Sequence, residues 1–465
     1  MASSLTGLDS VKHLINSDVS TERPSRWSDT NIDQPALILT PKTEQDVQAA
    51  LRVAKTNNLT VVASGGGHGT FVTVSPNTLY LDMKEFKTIK LNKEKGTVRV
   101  GGGVVTGELS KTLAKDGFYT PLPNSNAVGV VGCVIGGGNT PLNGLHGWMA
   151  DIVVSLRVVT AAGDILEVSS SSTGKELTLF NALCGAGHGL SVITSIETSV
   201  YPIADLNMPE GKVWTRSLVF PVSAIDTAAQ LFLDLLRPPP AASMTLLGMR
   251  SPPGTPAAGV PIVVLGYSYF GPAEEAEKHA SLLFQEDLVD KAIMATTLLV
   301  PMENINDKLD PLNTHGGHKA IASCRLEKTN IEAIKNAFQL WLSVTTKYPD
   351  SQKSPLALSS LNSTKPTELG KGSAKFVEGR NRDISAQIVT ICQKEETMAA
   401  LTGFMDDTVA ELRKGDPGVV PRSFPNNLRF GINLEEMFDR ERLAELREVK
   451  KLWDADGLFW SPFEA

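Results

Sequence analysis

Glycine constrains this chain more than any other residue. Among its 39 glycines, three tight clusters stand out: Ser64-Gly-Gly-Gly-His-Gly69, Val128-Gly-Val-Val-Gly-Cys-Val-Ile-Gly-Gly-Gly138 and Cys184-Gly-Ala-Gly-His-Gly189. Contiguous glycines weaken a helix or strand interior, but they let two backbones, or a backbone and a large ligand, come close. The first cluster follows a strand pattern at 60–63, itself preceded by a helical pattern at 44–57 and a strand pattern at 36–41. This is a βαβ-like opening with glycines at the carboxyl end of a strand. Such a run can turn several backbone N–H groups toward one anion, typically a pyrophosphate. It is neither a GxGxxG motif nor a P-loop, because no Lys-Ser/Thr follows. A plain glycine turn explains one run equally well. Three in succession point to a bulky cofactor.

Composition narrows the class. The chain has 465 residues, 42% hydrophobic and 20% charged, which implies two to three globular domains. A net charge of −7 argues against a nucleic-acid partner, which calls for a basic face. No apolar run approaches the ~18 residues of a membrane span. The first residues, MASSLTGLDSVKHLINSD, lack a basic stretch followed by an apolar one, so the expectation is an intracellular, cytoplasmic protein. Cys133, Cys184, Cys324 and Cys392 are widely separated, without CxxC spacing, and suggest neither disulfides nor a zinc site. The glycosylation patterns at Asn58 and Asn362 are read as chance matches on the same grounds.

Further strand patterns fall at 79–82, 97–100 and 190–200, with a hairpin over 152–168, a helix over 104–116 and a turn over 117–123. After Tyr201-Pro202 the texture changes. Strands at 213–220, 243–249, 262–269, 319–326 and 384–393 are separated by amphipathic segments at 224–236, 272–285 and 329–344. Prolines flank 243–249 on both sides (Pro238 to Pro240, then Pro252, Pro253, Pro256 and Pro261) and read as loops within one sheet. The stretch 434–453 is a charged amphipathic helix. The expected class is α+β, with residues 1–203 glycine-rich and 204–424 an antiparallel sheet flanked by helices. Residues 425–465 form a C-terminal segment.

The chain resembles the vanillyl-alcohol oxidase/p-cresol methylhydroxylase flavoprotein superfamily, and within it the berberine-bridge-enzyme-like branch. The resemblance rests on Pro35-Ala-Leu-Ile-Leu-Thr-Pro41, the Ser64–His68 run, Val128-Gly-Val-Val-Gly132, Gly136-Gly-Gly138, Gly147-Trp-Met-Ala-Asp151, Leu156–Asp164 and Phe180–Val192, in the family's order. Val449–Phe459 resembles the family's closing helix, with Trp453 and Ala455 in place of Tyr and Pro. The resemblance implies a two-domain PCMH-type FAD-binding fold, with the last segment returning to the FAD domain. It implies that Ser64, Gly65, Gly66, Gly67, His68 and Gly69 wrap the FAD pyrophosphate and that His68 bonds covalently to the flavin. Gly129, Gly132 and Val192 would line the same cofactor. Many relatives carry a second, cysteinyl link. Its position here is Ser125, and Cys133 is out of register, so a single histidyl link is expected, with a less oxidising flavin and a more open cleft. Val128 occupies the position that gates O2 in the family, where valine goes with oxidases; it also reads as a core residue.

The catalytic base departs from the family pattern. Relatives carry tyrosines before the last helix. The matching stretch here is Phe424-Pro-Asn-Asn427, and no tyrosine follows Tyr348. A base must lie within hydrogen-bond reach and titrate near working pH. The candidates are His315, His318, Glu378, Tyr267 and Tyr269, with Asn427 as a further active-site residue. His315-Gly-Gly-His318 also reads as a loop or a weak metal pair, though no metal is expected. Glu378 also reads as a salt-bridge partner of Arg380 or Arg382. Tyr267 and Tyr269 share one face of a strand, which looks either toward the flavin or into the core. His146 and His188 lie in loops of the first domain. The resulting expectation is a covalent FAD oxidase in biosynthesis, acting on a CH–OH, CH–NH or C–H group of a small molecule, with O2 as acceptor. A pericyclase or isomerase that retains FAD without net redox chemistry is the alternative, and a flavin-containing binding protein is a third reading.

Overall fold

The computed structural model describes residues 19–255 and 257–463. The amino-terminal stretch behind the localisation expectation and Pro256 of the proline-rich loop lie outside the described residues.

The first lobe is built from two sheets. Strands β1 (Val19–Ser20), β2 (Leu37–Leu39), β3 (Thr60–Ser64) and β4 (Thr78–Asp82) form a sheet of order β1-β2-β4-β3, in which β2 and β3 run parallel to β4. The helix Glu44–Thr56 starts at a capping box, with Thr43 and Asp46 satisfying each other's backbone N–H groups, and buries Val47, Leu51 and Val53. Strands β5 (Ile89–Asn92), β6 (Thr97–Gly101), β8 (Val153–Val159), β9 (Ile165–Ser169) and β10 (Val192–Ser199) form an antiparallel sheet of order β5-β6-β10-β8-β9. The expected turn at 117–123 contains β7 (Phe118–Tyr119), which pairs with β11 (Tyr201–Pro202).

The second lobe is one seven-stranded antiparallel sheet. Its strands are β12 (Lys212–Pro221), β13 (Ala242–Arg250), β14 (Pro261–Tyr269), β15 (Met294–Pro301), β16 (His318–Leu326), β17 (Leu356–Leu361) and β18 (Ile384–Cys392), in the order β15-β12-β14-β13-β17-β18-β16. The flanking prolines do form loops within it: β14 opens on Pro261, and the 251–260 stretch joins β13 to β14. Helices Ile225–Asp234, Ile331–Lys347 and Glu395–Lys414 pack on one face through Phe232, Phe338, Trp341, Leu401 and Phe404. The other face turns toward the first lobe.

The carboxyl-terminal segment closes the first lobe. The helix Arg440–Trp453 buries Leu443, Leu446 and Val449 in the same core as Phe180 and Trp148. Beyond it, Val61 of β3 donates to the Leu458 carbonyl at 2.8 Å and Trp460 donates to that of Val61 at 3.0 Å. The tail thus adds a short parallel strand beside β3, one step before the first glycine cluster. The architecture is α+β, in two lobes. Among the described residues, no helix is long and apolar enough to cross a membrane.

Candidate flavin site

The first and second glycine clusters meet. A Cβ on Gly66 would lie 2.4 Å from the Gly129 nitrogen and 2.7 Å from the Ala127 carbonyl, and one on Gly65 would lie 2.7 Å from the Gly102 carbonyl. Gly65, Gly66 and Gly129 are therefore required by chain packing against chain, whatever else they contact. Gly67 has φ +70°, a conformation natural to glycine. Among the described residues, the backbone N–H groups of Gly66, Gly67, His68 and Gly69 find no backbone acceptor, so the loop offers a row of free donors. Gly132 has open space around its α-carbon.

The loop hangs on a residue the glycine pattern does not reveal. Arg26, buried, donates from Nη1 to Ser64 Oγ (3.1 Å) and Tyr80 Oη (3.0 Å), and from Nη2 to the Gly69 carbonyl (3.0 Å). Its neighbour Trp27 stacks on His68, with ring centroids 5.2 Å apart and planes at 15°. His68 Nε2 is buried without a partner. Burial, then His315, Arg26 and Lys319, hold its imidazole down to about 3, so the ring is neutral and nucleophilic at physiological pH. A row of free N–H donors beside an unpartnered, neutral imidazole fits FAD: the donors suit its pyrophosphate and the imidazole its dimethylbenzene edge.

The opposite edge of this site is covered by the second lobe. Ser125 Oγ donates to Asn313 Oδ1 at 3.0 Å, and Asn126 Nδ2 donates to Asp307 (2.9 Å) and Asp310 (3.1 Å). Asn306 Nδ2 donates to the Pro123 carbonyl at 3.0 Å, and Trp27 Nε1 to that of Leu312 at 2.7 Å. The expectation of a more open cleft beside Ser125 is corrected here, because the 306–313 stretch closes that edge. Cys133 is buried in the hydrophobic core and its thiol is pushed up to about 12 by burial. Val128 packs partly buried against the same core. The Val192 side chain is fully buried beneath the four-stranded sheet, so only its backbone could face a cofactor.

Two of the proposed bases are withdrawn. Tyr267 and Tyr269 lie on the helix-covered face of β14, with Leu265 and Val263, not on the face toward the first lobe. Tyr267 Oη is buried without a partner, Tyr269 Oη donates to Glu275 at 2.6 Å, and burial raises both phenols. The period-two pattern put them on one face correctly; helix packing decided which. Glu378 is also corrected: it faces Arg442 of the final helix at 3.9 Å. Arg380 pairs instead with Asp151, both bonds at 2.7 Å, and Arg382 with Glu327 and Asp416. His318 opens β16 in register with Cys392. His315 does reach it, edge-on to His68 with centroids 6.3 Å apart. Among the described residues no group of three possible metal ligands occurs. His146 stacks on Tyr201 and bonds to Tyr119 Oη at 2.8 Å, and His188 packs edge-on against Phe71.

The face of the second sheet toward the first lobe alternates with the core face. It carries Thr215 and Ser217 on β12, Ser243 and Thr245 on β13, Ser268 on β14, Ser359 on β17, and Ser385 and Gln387 on β18. Thr245 and Ser359 share a hydrogen bond of 3.0 Å. Its ionisable members on β16 are Lys319 and Arg325, both cations. Arg325, fully buried, lies over the Trp148 ring at 4.6 Å and donates to the Arg382 carbonyl at 2.8 Å, while its Nε and Nη1 have no partner. Burial and then Arg382 bring it down to about 9. Asn427 sits buried in the turn Pro425–Asn427 with Nδ2 unpartnered. The adjacent Asn426 braces the second glycine cluster, accepting from Gly138 N–H (3.1 Å) and donating to the Gly132 (3.0 Å) and Cys133 (3.1 Å) carbonyls.

Comparison with known proteins agrees with this geometry. Residues 35–169 match the FAD_binding_4 family model, an FAD binding domain. The FAD-linked oxidoreductase tazG of Aspergillus terreus is 32% identical over 260 residues, which are 55% of this chain and 50% of that protein. The chain thus spans about half the length of that relative. The FAD-linked oxidoreductase hasG of Aspergillus fumigatus is 24% identical over 93% of this chain and 92% of its own. Among solved structures, Physcomitrella patens BBE-like 1 superposes with a TM-score of 0.81 at 17% identity, covering 99% of this chain and 100% of that one. The glucooligosaccharide oxidase of Acremonium strictum superposes at 0.80 and 17% identity, covering 98% of each chain. The matched FAD binding domain and the superposition over nearly the whole chain together show an FAD binding domain within a two-lobe, PCMH-type flavoprotein fold.

Proposed function

We propose that the protein is an FAD-dependent oxidase of a small molecule, with its flavin held by one covalent bond, through His68. The observation that carries this reading is His68 itself: half-buried, neutral, with a buried and unpartnered Nε2, beside an open row of backbone donors. The glucooligosaccharide oxidase of Acremonium strictum carries a 6-S-cysteinyl, 8α-N1-histidyl FAD. In this chain the corresponding second position is Ser125, engaged with Asn313, and Cys133 is sequestered in the core. In this reading residues 1–203 and 425–465 hold the cofactor and 204–424 the substrate.

When bound, FAD would accept a hydride equivalent from a CH–OH, CH–NH or C–H group at N5 and pass two electrons to O2, giving hydrogen peroxide. The chain's own part is orientation. The loop donors fix the pyrophosphate, Val128 controls access beside the flavin, and the hydroxyl-bearing sheet face positions a polar substrate. Among the described residues that sheet face carries no phenol, imidazole or carboxylate. A substrate that needs no base, such as a neutral amine, suits it.

The same lack of a base favours the second reading, a pericyclase or isomerase of this fold that retains FAD without net redox change. Intact-protein mass after denaturation, compared with His68→Ala, is the first test. One added FAD mass in the wild type and none in the mutant is expected; apoprotein mass with free yellow flavin would overturn the histidyl link. Oxygen uptake with turnover then separates oxidase from pericyclase, since the latter consumes none.

A further inference from the structure

His68 is met from the second lobe as well as from its own loop. The His315 ring stands at 73° to it, edge-on, in a loop held from several sides. His315 Nδ1 shares a 2.9 Å hydrogen bond with Ser25 Oγ. Gly316 N–H donates to the Arg26 carbonyl at 3.0 Å, and Gly317 N–H to Asp29 Oδ2 at 2.7 Å. The Lys319 ammonium gathers the carbonyls of Trp27, Thr314 and Gly316, each at 2.6 Å. A ring fixed this firmly beside a nucleophilic imidazole has a use during attachment of the cofactor.

We propose that His315 is a positioning residue for flavinylation: it orients His68 and takes the proton that His68 sheds on bonding to FAD. The inference rests on the histidyl link proposed above. The bond formed joins a ring nitrogen of His68 to the 8α carbon, and the bond broken is a C–H of the 8α methyl. The C–H proton is released to solvent while its electron pair reduces the isoalloxazine; dioxygen then takes up the two electrons with two protons, releasing hydrogen peroxide. An alkylated imidazole that keeps its N–H is cationic. Transfer of that proton to His315 leaves it neutral, and His315 is exposed enough to return the proton to water. The groups facing His315 are Ser25, Asp29, Arg26, Lys319 and His68. Burial, Lys319 and Arg26 lower its basicity and Asp29 raises it, with a net lowering. The acceptor is therefore unprotonated at neutral pH, and attachment slows only as acid protonates it.

The test follows covalent FAD by intact-protein mass during incubation with FAD, across mildly acid to mildly alkaline pH. Wild type, His315→Ala, His315→Gln, Ser25→Ala and His68→Ala are compared, with non-covalent flavin retention as the folding control. His315→Ala is expected to attach FAD at least ~10-fold more slowly, to lose the acid-side inflection of the wild type, and to recover with added imidazole. Ser25→Ala, which keeps the imidazole but frees its Nδ1, should show a smaller slowing with the inflection retained. Wild-type rates and an unchanged pH profile in folded His315→Gln or His315→Ala would overturn the inference while leaving the histidyl link standing. If His315→Ala and His315→Gln do not fold, an unchanged rate in Ser25→Ala overturns it. A wild type that never gains the FAD mass overturns the link itself.

Discussion

At the scale of single residues, the site separates what local sequence can reveal from what it cannot. The Ser64–Gly69 loop and His68 were legible because the signal is contiguous: glycines, a strand before them, an imidazole among them. Arg26, which ties both ends of that loop, lies 38 residues upstream of Ser64, and nothing in its neighbourhood marks it. Arg325 is equally silent in the sequence, one cation in a strand pattern. Tyr267 and Tyr269 show the limit from the other side, since alternation gives a shared face but not its direction. Because Arg26 is buried with three hydrogen bonds, Arg26→Met should lower stability by about 3 kcal/mol and reduce the fraction of protein carrying FAD. Chemical denaturation and the flavin-to-protein absorbance ratio read these two effects. Thr43→Ala, which removes one half of a capping box, should cost only about 1 kcal/mol and leave flavin content unchanged.

At the scale of elements, strands with clear alternation were placed within a residue or two, and so was the capped helix Glu44–Thr56; the amphipathic segment at 329–344 forms the helix Ile331–Lys347, which runs three residues further. The strands that escaped have physical reasons. In β17, Leu-Ala-Leu-Ser-Ser-Leu, the serines blur the alternation, and β15 is an edge strand largely exposed on both faces. Helix Gly174–Ala186 breaks at Cys184 and Gly185, where the second half of the chain docks: Phe376 N–H donates to the Cys184 carbonyl at 3.0 Å. Gly185 has φ +120°, and a Cβ there would lie 1.8 Å from the Phe376 carbonyl. Gly185→Ala should therefore cost on the order of 3 kcal/mol or more and detach the Phe376–Val377 segment. Faster proteolysis near residue 376 would show the detachment. A variant as stable as the wild type would mean that this docking does not hold the helix break in place.

At the scale of the whole molecule, the two lobes are held by a few buried polar contacts. Asp151 and Arg380 form a bidentate pair, their side chains 4% and 9% exposed. Asp151→Asn leaves a buried guanidinium without its counter-charge and should cost ~3–5 kcal/mol, read as a lower unfolding midpoint. Acid should loosen the protein through His188. Burial lowers its imidazole from 6.5 to about 4, so between those values the unfolded chain binds a proton that the folded chain refuses. Stability is thus lost as pH falls through that window, and His188→Phe, which keeps a ring against Phe71, should flatten the acid limb of a thermal melt taken against pH. The tail strand carries a consequence for biosynthesis. Leu458 and Trp460 hydrogen-bond to Val61, just ahead of the flavin loop, and the helix before them fills the core beneath it. A nascent chain emerging from the ribosome cannot assemble that layer until residue 460 has cleared the exit tunnel. Cofactor capture then waits for the tail to reach β3, and ribosome-stalled chains ending before Leu458 should stay colourless.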